Sequence, residues 1–275
     1  MSSYLIAGCG YVGTALAKKL KEEGHSVSFL SRSEKKINGC QGIQVDLCDP
    51  TTLTELPTCD YILYMAAPDL KDLSSYEQAY YYGVKNLIKA YEHRPPKRFI
   101  LVSSTSVYGE RKGEWVDENS VTDPSAKAEM LLKGEQYVTQ SRIPATVIRF
   151  AGIYGPGRHS FVDKVMRGEQ TILPNITRYT NRIHRDDCAS LLYFITQMSQ
   201  PEDLYLGCDS CPEDKNIVIK WISNQSNGPT IKTDSNDQPK KTLNKRCNNQ
   251  KIKEAGFIFR YPSYKEGYLP IISKD

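Results

Sequence analysis

The chain contains no apolar run longer than a strand. Residues 99–102 are representative, and nothing in the sequence reads as a membrane span. The N-terminus lacks a basic segment followed by a long apolar core. No signal peptide is expected, and the chain reads as cytoplasmic. Metal-binding patterns are absent too. The eight cysteines are scattered, and the one C-x-x-C, Cys208 to Cys211, has neither a second pair nor nearby histidines, so free thiols and no metal are expected. There is no internal repeat beyond an alternation of strands and helices. A strong charge imbalance is also missing, the formal net charge being +4. Lys240, Lys241, Lys245, Arg246, Lys251 and Lys253 make the last third somewhat basic. No nucleic-acid motif accompanies them, so they read as solvated surface, with no nucleic-acid partner. What remains, 39% hydrophobic and 25% charged over 275 residues, is the composition of a globular protein with one sizeable core.

The most informative stretch is at the start. An apolar run at 4–7 is followed at once by Gly8, Gly10 and Gly13 in the pattern G-x-G-x-x-G, with Tyr11 and Val12 inside it. A helix over 14–23 follows, with Leu16, Ala17 and Leu20 on one side and lysines and glutamates on the other. A strand, a glycine turn and a helix in this order form the dinucleotide-binding fingerprint. Gly8 permits the tight turn, Gly10 lets a pyrophosphate approach the backbone, and Gly13 lets helix and strand pack closely. The helix N-terminus offers its amides to the phosphates.

The rest of the chain repeats the alternation. Strands are expected over 26–30, 42–47, 60–65, 99–103, 145–150 and 204–206. Helices are expected from 48 through Leu56, over 76–93, over 125–141, over 188–198 and around 217–223, with residues 110–123 as a charged loop. The fold class is α/β, a doubly wound parallel Rossmann sheet with a small C-terminal substrate lobe. Residues 1–155 and 184–210 are assigned to the dinucleotide-binding domain, and 156–183 and 211–275 to the lobe. The second strand ends in Ser31-Arg32-Ser33, without the carboxylate that usually bonds the ribose 2′-hydroxyl of NAD. Arg32, with Ser33, suits a 2′-phosphate instead, so NADP is favoured with NAD as the alternative. Asp46 and Leu47 are placed at the adenine, Ala66, Ala67 and Pro68 under the cofactor, and Ser103 at the next strand end.

These residues resemble the extended short-chain dehydrogenase/reductase superfamily, of the nucleoside-diphosphate-sugar epimerase/dehydratase type. The resemblance runs through GCGYVG, Asp46-Leu47, Ala66-Ala67-Pro68, SSTSVYG at 103–109, RFAGIYGPGR at 149–158 and IHRDD at 183–187. Two C-terminal stretches, at 245–249 and 261–267, are similar to atypical members described only as NAD(P)-dependent oxidoreductases or epimerase-like proteins. The resemblance implies a Rossmann domain with a nicotinamide cofactor near Tyr154. It implies a small-molecule substrate, a nucleotide sugar or another carbonyl compound. It also implies a homodimer built through a four-helix bundle.

The family's chemistry rests on a Ser or Thr and a Tyr-x-x-x-Lys pair on one helix face. Ser104 matches the first. In the family's spacing Ala128 stands where the Tyr should be and Leu132 where the Lys should be. Tyr108/Lys112 and Tyr81/Lys85 repeat the spacing elsewhere. Lys127, Glu129, Tyr154 and His184 are other candidate proton carriers. Arg149, Arg158 and Arg185 are candidates for an anionic substrate. Two readings follow: an NADP-favouring oxidoreductase or epimerase-like enzyme with an atypical acid, or a non-catalytic NADP-binding redox sensor. A scaffold with a vestigial site is a third.

Overall fold

The computed structural model describes residues 1–226, 230–235 and 243–273; Lys240 and Lys241 lie outside the described residues. In chain order the elements begin β1 (Ser3–Ala7), α1 (Tyr11–Glu22), β2 (Ser26–Ser31), β3 (Gln41–Gln44), β4 (Tyr61–Tyr64), α2 (Leu73–Glu77), α3 (Gly83–Ala90), β5 (Arg98–Ser104), β6 (Glu114–Val116), α4 (Ala126–Thr139) and β7 (Ala145–Phe150). They continue with β8 (Gly152–Tyr154), α5 (Ser160–Met166), β9 (Thr171–Ile172), β10 (Tyr179–Thr180), β11 (Arg182–His184), α6 (Arg185–Gln197), β12 (Leu204–Gly207) and β13 (Glu213–Asp214). The last are α7 (Lys215–Ser226), β14 (Lys232–Thr233), β15 (Lys245–Cys247), α8 (Gln250–Glu254) and α9 (Tyr264–Ile272). Among the described residues, no helix is long and apolar enough to cross a membrane.

The central sheet has seven strands in the order β12-β7-β5-β4-β1-β2-β3. The pairs β1–β2, β2–β3, β1–β4 and β4–β5 are parallel. From β1 the chain winds first to β2 and β3 and then back to β4 and beyond, so the order reverses beside β1. In such a sheet the crevice outside the strand ends at that reversal is where ligands bind. Strands buried on both faces read as continuous apolar runs, and Leu5, Ile6 and Ala7 of β1 and Phe99 and Ile100 of β5 are fully buried.

The chain divides into two compact units. The first comprises 1–107, 122–149 and 188–205, the second 108–121, 150–187 and 206–275. The division expected from the sequence placed 108–121, 150–155, 184–187 and 206–210 with the dinucleotide-binding part; by contact they group with the second unit. The first unit's core includes Leu5, Leu30, Ile62, Tyr64, Val84, Leu87, Phe99 and Val147. The second has its own, around Tyr154, Val162, Val165, Val218, Ile219, Ile222, Tyr264 and Tyr268.

Three elements differ from expectation. The helix expected from 48 is one 3₁₀ turn, Pro50–Leu53, with the Asp49 carboxylate accepting the Thr51 N–H at 2.9 Å. The helix expected over 76–93 is broken by a π-turn at Gln78–Tyr82, between α2 and α3. Its physical reason is a close crossing: the Tyr80 carbonyl lies so near Gly134 of α4 that any side chain there would overlap it. A π-turn takes one carbonyl out of the α-helical ladder, and the buried Tyr64 phenol donates to the Ala79 oxygen. Third, the loop expected at 110–123 contains β6, which pairs in parallel with β15. Lys245 of that strand is buried rather than solvated, its ammonium donating to the Tyr108 carbonyl at 3.0 Å.

Candidate functional site

In the first unit, the sequence-predicted cofactor residues gather at the carboxyl ends of the strands. Gly8 follows β1 with φ +89°, a conformation that disfavours a side chain, and a Cβ there would overlap the backbone of Ala66 beyond β4. A Cβ at Gly13 would sit 2.9 Å from the Gly8 oxygen and 3.2 Å from Ile6 and Met65. These two glycines close the turn. Gly10 is different: nothing lies within 4 Å of its Cβ position, so the turn is open there. Gly10 is the N-cap of α1, with no side-chain cap and no acidic residue in the first turn. In general the first-turn amides of an α-helix find no carbonyl four residues back, and they carry the positive end of its dipole. A glycine turn closed underneath and open above an uncapped helix end fits a dinucleotide pyrophosphate.

Arg32 and Ser33 follow β2, and the Arg32 guanidinium is held fork-to-fork by the carboxylate of Asp69. Lys35, which sequence reasoning missed, donates to the Cys9 carbonyl and, at 2.9 Å, to the Thr14 hydroxyl, fixing a cation on the glycine turn. Asp46 follows β3 and accepts the Cys48 N–H at 2.9 Å, while the Leu47 carbonyl accepts from Asn86 at 3.1 Å. Ala66, Ala67 and Pro68 follow β4.

At the end of β5, neighbouring serines point to opposite faces. Ser104 is half-buried, and its oxygen accepts the Ser106 N–H at 3.2 Å. Ser103 faces inward and donates to Glu135 of α4. Arg149 closes this cluster, its Nη2 2.6 Å from Glu135 Oε2 and its Nε 3.1 Å from Oε1. Both charged side chains are buried. Arg149 therefore serves the core as Glu135's counter-ion, rather than an anionic substrate as its sequence context suggested.

Helix α4 begins with Ser125 as its cap. Ala128 is buried and Leu132 half-buried, and neither carries a proton that titrates. No Tyr on α4 is followed four residues later by a Lys in the sequence. Lys127 spends its ammonium on the Lys71 carbonyl and over the Tyr76 ring, 5.7 Å from its centroid. Lys85 lies 5.6 Å from the Tyr81 ring centroid, a packing contact between i and i+4. Tyr108 is fully buried, whereas Lys112 is exposed.

The second unit holds Tyr154 and a cavity of about 320 Å³. Arg158, His159, Phe161, Arg182, Lys215 and Tyr268 are among its lining residues, and no carboxylate is. Lys215 is held below the ordinary lysine range by burial and then by the nearby charges of Arg178 and Lys164. A cationic, aromatic-lined hollow of this size suits a small organic anion. Of its lining, Tyr154 Oη and Arg182 Nη1 are buried without a hydrogen-bond partner, and so is Asp209 Oδ2. Burial pushes the Tyr154 phenol up, so it keeps its proton. His184 is the reverse case. Burial lowers it to about 4, and its Nδ1 accepts the Asp186 N–H at 3.2 Å, which leaves a neutral ring with its proton on Nε2. Arg185 is bonded to Asp186 at 2.9 Å.

Burial also raises Asp209 to about 7. A carboxyl that folding makes harder to ionise stabilises below its unfolded pKa, and that contribution is lost as pH rises through the folded value. Asp209→Asn is therefore expected to remove a stability loss between about pH 4 and 7. Thermal melts at pH 5 and pH 8 check this: the variant's gain on the wild type should be larger at pH 8 than at pH 5.

This fold and glycine cradle place the chain in a known class. A model of the NAD dependent epimerase/dehydratase family matches residues 4–207, and the chain belongs to that family. It is 25% identical to Protein YeeZ of Escherichia coli K12, over 95% of this chain and 97% of that protein. It is 28% identical to a Rhizobium meliloti protein named "Probable UDP-glucuronate 4-epimerase", over 60% of this chain and 59% of that one. A solved structure from Methylobacillus flagellatus, provisionally assigned as an NAD-dependent epimerase/dehydratase, is 31% identical. It superposes with a TM-score of 0.84 over 100% of this chain and 99% of that one.

Proposed function

We propose that this chain binds a nicotinamide dinucleotide in the first unit, with NADP favoured over NAD. We infer that it acts on a nucleotide sugar or another anionic carbonyl compound as an oxidoreductase or epimerase/dehydratase-like enzyme with an atypical acid. The observation that carries the reading is the glycine turn, closed under Gly8 and Gly13 and open above Gly10. Gly8, Gly10, Tyr11, Val12 and Gly13 would hold the pyrophosphate, and Lys35 keeps the turn rigid. Arg32 and Ser33 would meet the ribose, and Asp46 and Leu47 the adenine. Ala66, Ala67 and Pro68 would line the crevice at the strand ends. The relative named for UDP-glucuronate supports a nucleotide-sugar substrate. So does the cationic hollow of the second unit, where Arg182 and Lys215 would take an anionic group.

A bound nicotinamide supplies hydride transfer. Ser104 is suited to orient a substrate oxygen by hydrogen bond, and Tyr154 keeps a proton on Oη at neutral pH. Self-association into a homodimer is part of the same proposal. A second reading, a non-catalytic NADP-binding redox sensor, is favoured by Ala128 and Leu132 on α4.

Fluorescence titration and thermal shift with NADPH and NADH test the shared claim, and binding of at least one is expected. No binding of either overturns both readings. Turnover with a panel of nucleotide sugars, aldehydes and ketones then separates them: binding without turnover selects the sensor.

A further inference from the structure

We propose that Asp69 sets the cofactor selectivity of this protein by competing with a ribose 2′-phosphate for Arg32. The inference rests on the reading that the glycine turn holds a dinucleotide. The end of β2 has Arg32 where NAD-selective sites place a carboxylate. The structure supplies a carboxylate from elsewhere in the chain. Asp69, five residues beyond the last residue of β4, offers both oxygens to the two terminal nitrogens of Arg32. Strands β2 and β4 flank β1 on its two sides. The ion pair therefore joins the two strand ends that border the glycine turn, at the place where the sheet order reverses.

Its geometry is that in which a guanidinium takes a phosphate, two parallel N–H donors on two oxygens. The fork is already filled, so a 2′-phosphate reaches Arg32 only by displacing Asp69. An NAD ribose, with a neutral hydroxyl at that position, leaves the pair intact. The side chains of Arg32 and Asp69 are 60% and 58% exposed, which makes the pair cheap to open and no support of the fold. Asp69 thus lowers a preference for NADP that Arg32 would otherwise express in full, and it holds the site open to both cofactors.

The test is the dissociation constant of NADPH and of NADH, by fluorescence titration of the full chain, for wild type, Asp69→Asn and the double variant Arg32→Gln/Asp69→Asn. Asp69→Asn should tighten NADPH about fivefold, the size of one exposed ion pair, and leave NADH within about twofold and the melting temperature unchanged. The double variant should lose that gain. A wild type that binds neither nucleotide overturns the cofactor reading itself. A wild type that binds, with an NADPH-to-NADH ratio that Asp69→Asn does not move, overturns this inference alone. So does a ratio that moves only because NADH weakens, since that would put Asp69 on the ribose hydroxyl.

Discussion

Arg149→Met destabilises the protein by about 3–5 kcal/mol, the cost of stripping one partner from a buried ion pair. Glu135 is 7% exposed, and without Arg149 its carboxylate keeps the Ser103 hydroxyl as its remaining described side-chain partner. Total stability of a domain is about 5–15 kcal/mol, so this one change removes a large share of it. The ion pair also ties three elements of the first unit together: Ser103 from β5, Glu135 from α4 and Arg149 from β7. Urea unfolding followed by circular dichroism measures the loss. The double variant Glu135→Gln/Arg149→Met should recover part of it, because neither position then leaves a bare buried charge.

Gly10→Ala weakens dinucleotide binding on the order of a hundredfold and leaves stability nearly unchanged; two hydrogen bonds to a charged phosphate are worth about 3 kcal/mol, and each 1.4 kcal/mol is tenfold. The separation of effects is what makes this variant informative. The added methyl meets no protein atom within 4 Å. The same substitution at Gly8 would clash with Ala66 and strain the backbone. At Gly13 it would push against Gly8 and Ile6. Those two would confound folding with binding, and Gly10→Ala does not.

The sheet and the glycine turn are legible in the sequence because their signals are local. Apolar runs at 4–7 and 99–102 bounded by turns read as strands, and Leu16, Ala17 and Leu20 mark a helix face. What is not legible depends on partners far along the chain. The π-turn at 78–82 answers to Gly134, and β6 exists because β15 lies beside it. Lys245 looks like a surface lysine until the Tyr108 carbonyl is placed against it. Arg149 looks like an anion-binding arginine until Glu135 is found beside it.

The candidate site divides the same way. Gly8, Gly10, Gly13 and Arg32 stand out by type and spacing. Asp69, 37 residues from Arg32, carries no motif, and only the adjacency of β2 and β4 to β1 brings it to the fork. Lys35 is equally silent in sequence. A cue was present in the one-residue step from Ser103 to Ser104. Alternation along a strand puts one of them in the core, and the structure puts Ser103 there, on Glu135.

The central claim, that the open glycine turn is a dinucleotide cradle, is tested most directly by titrating wild type and Gly10→Ala side by side with NADPH, reading nucleotide fluorescence and confirming equal melting temperatures. Saturable binding to the wild type, lost or weakened on the order of a hundredfold in the variant, is the predicted result. Equal binding to the two proteins, or none to the wild type, would contradict it.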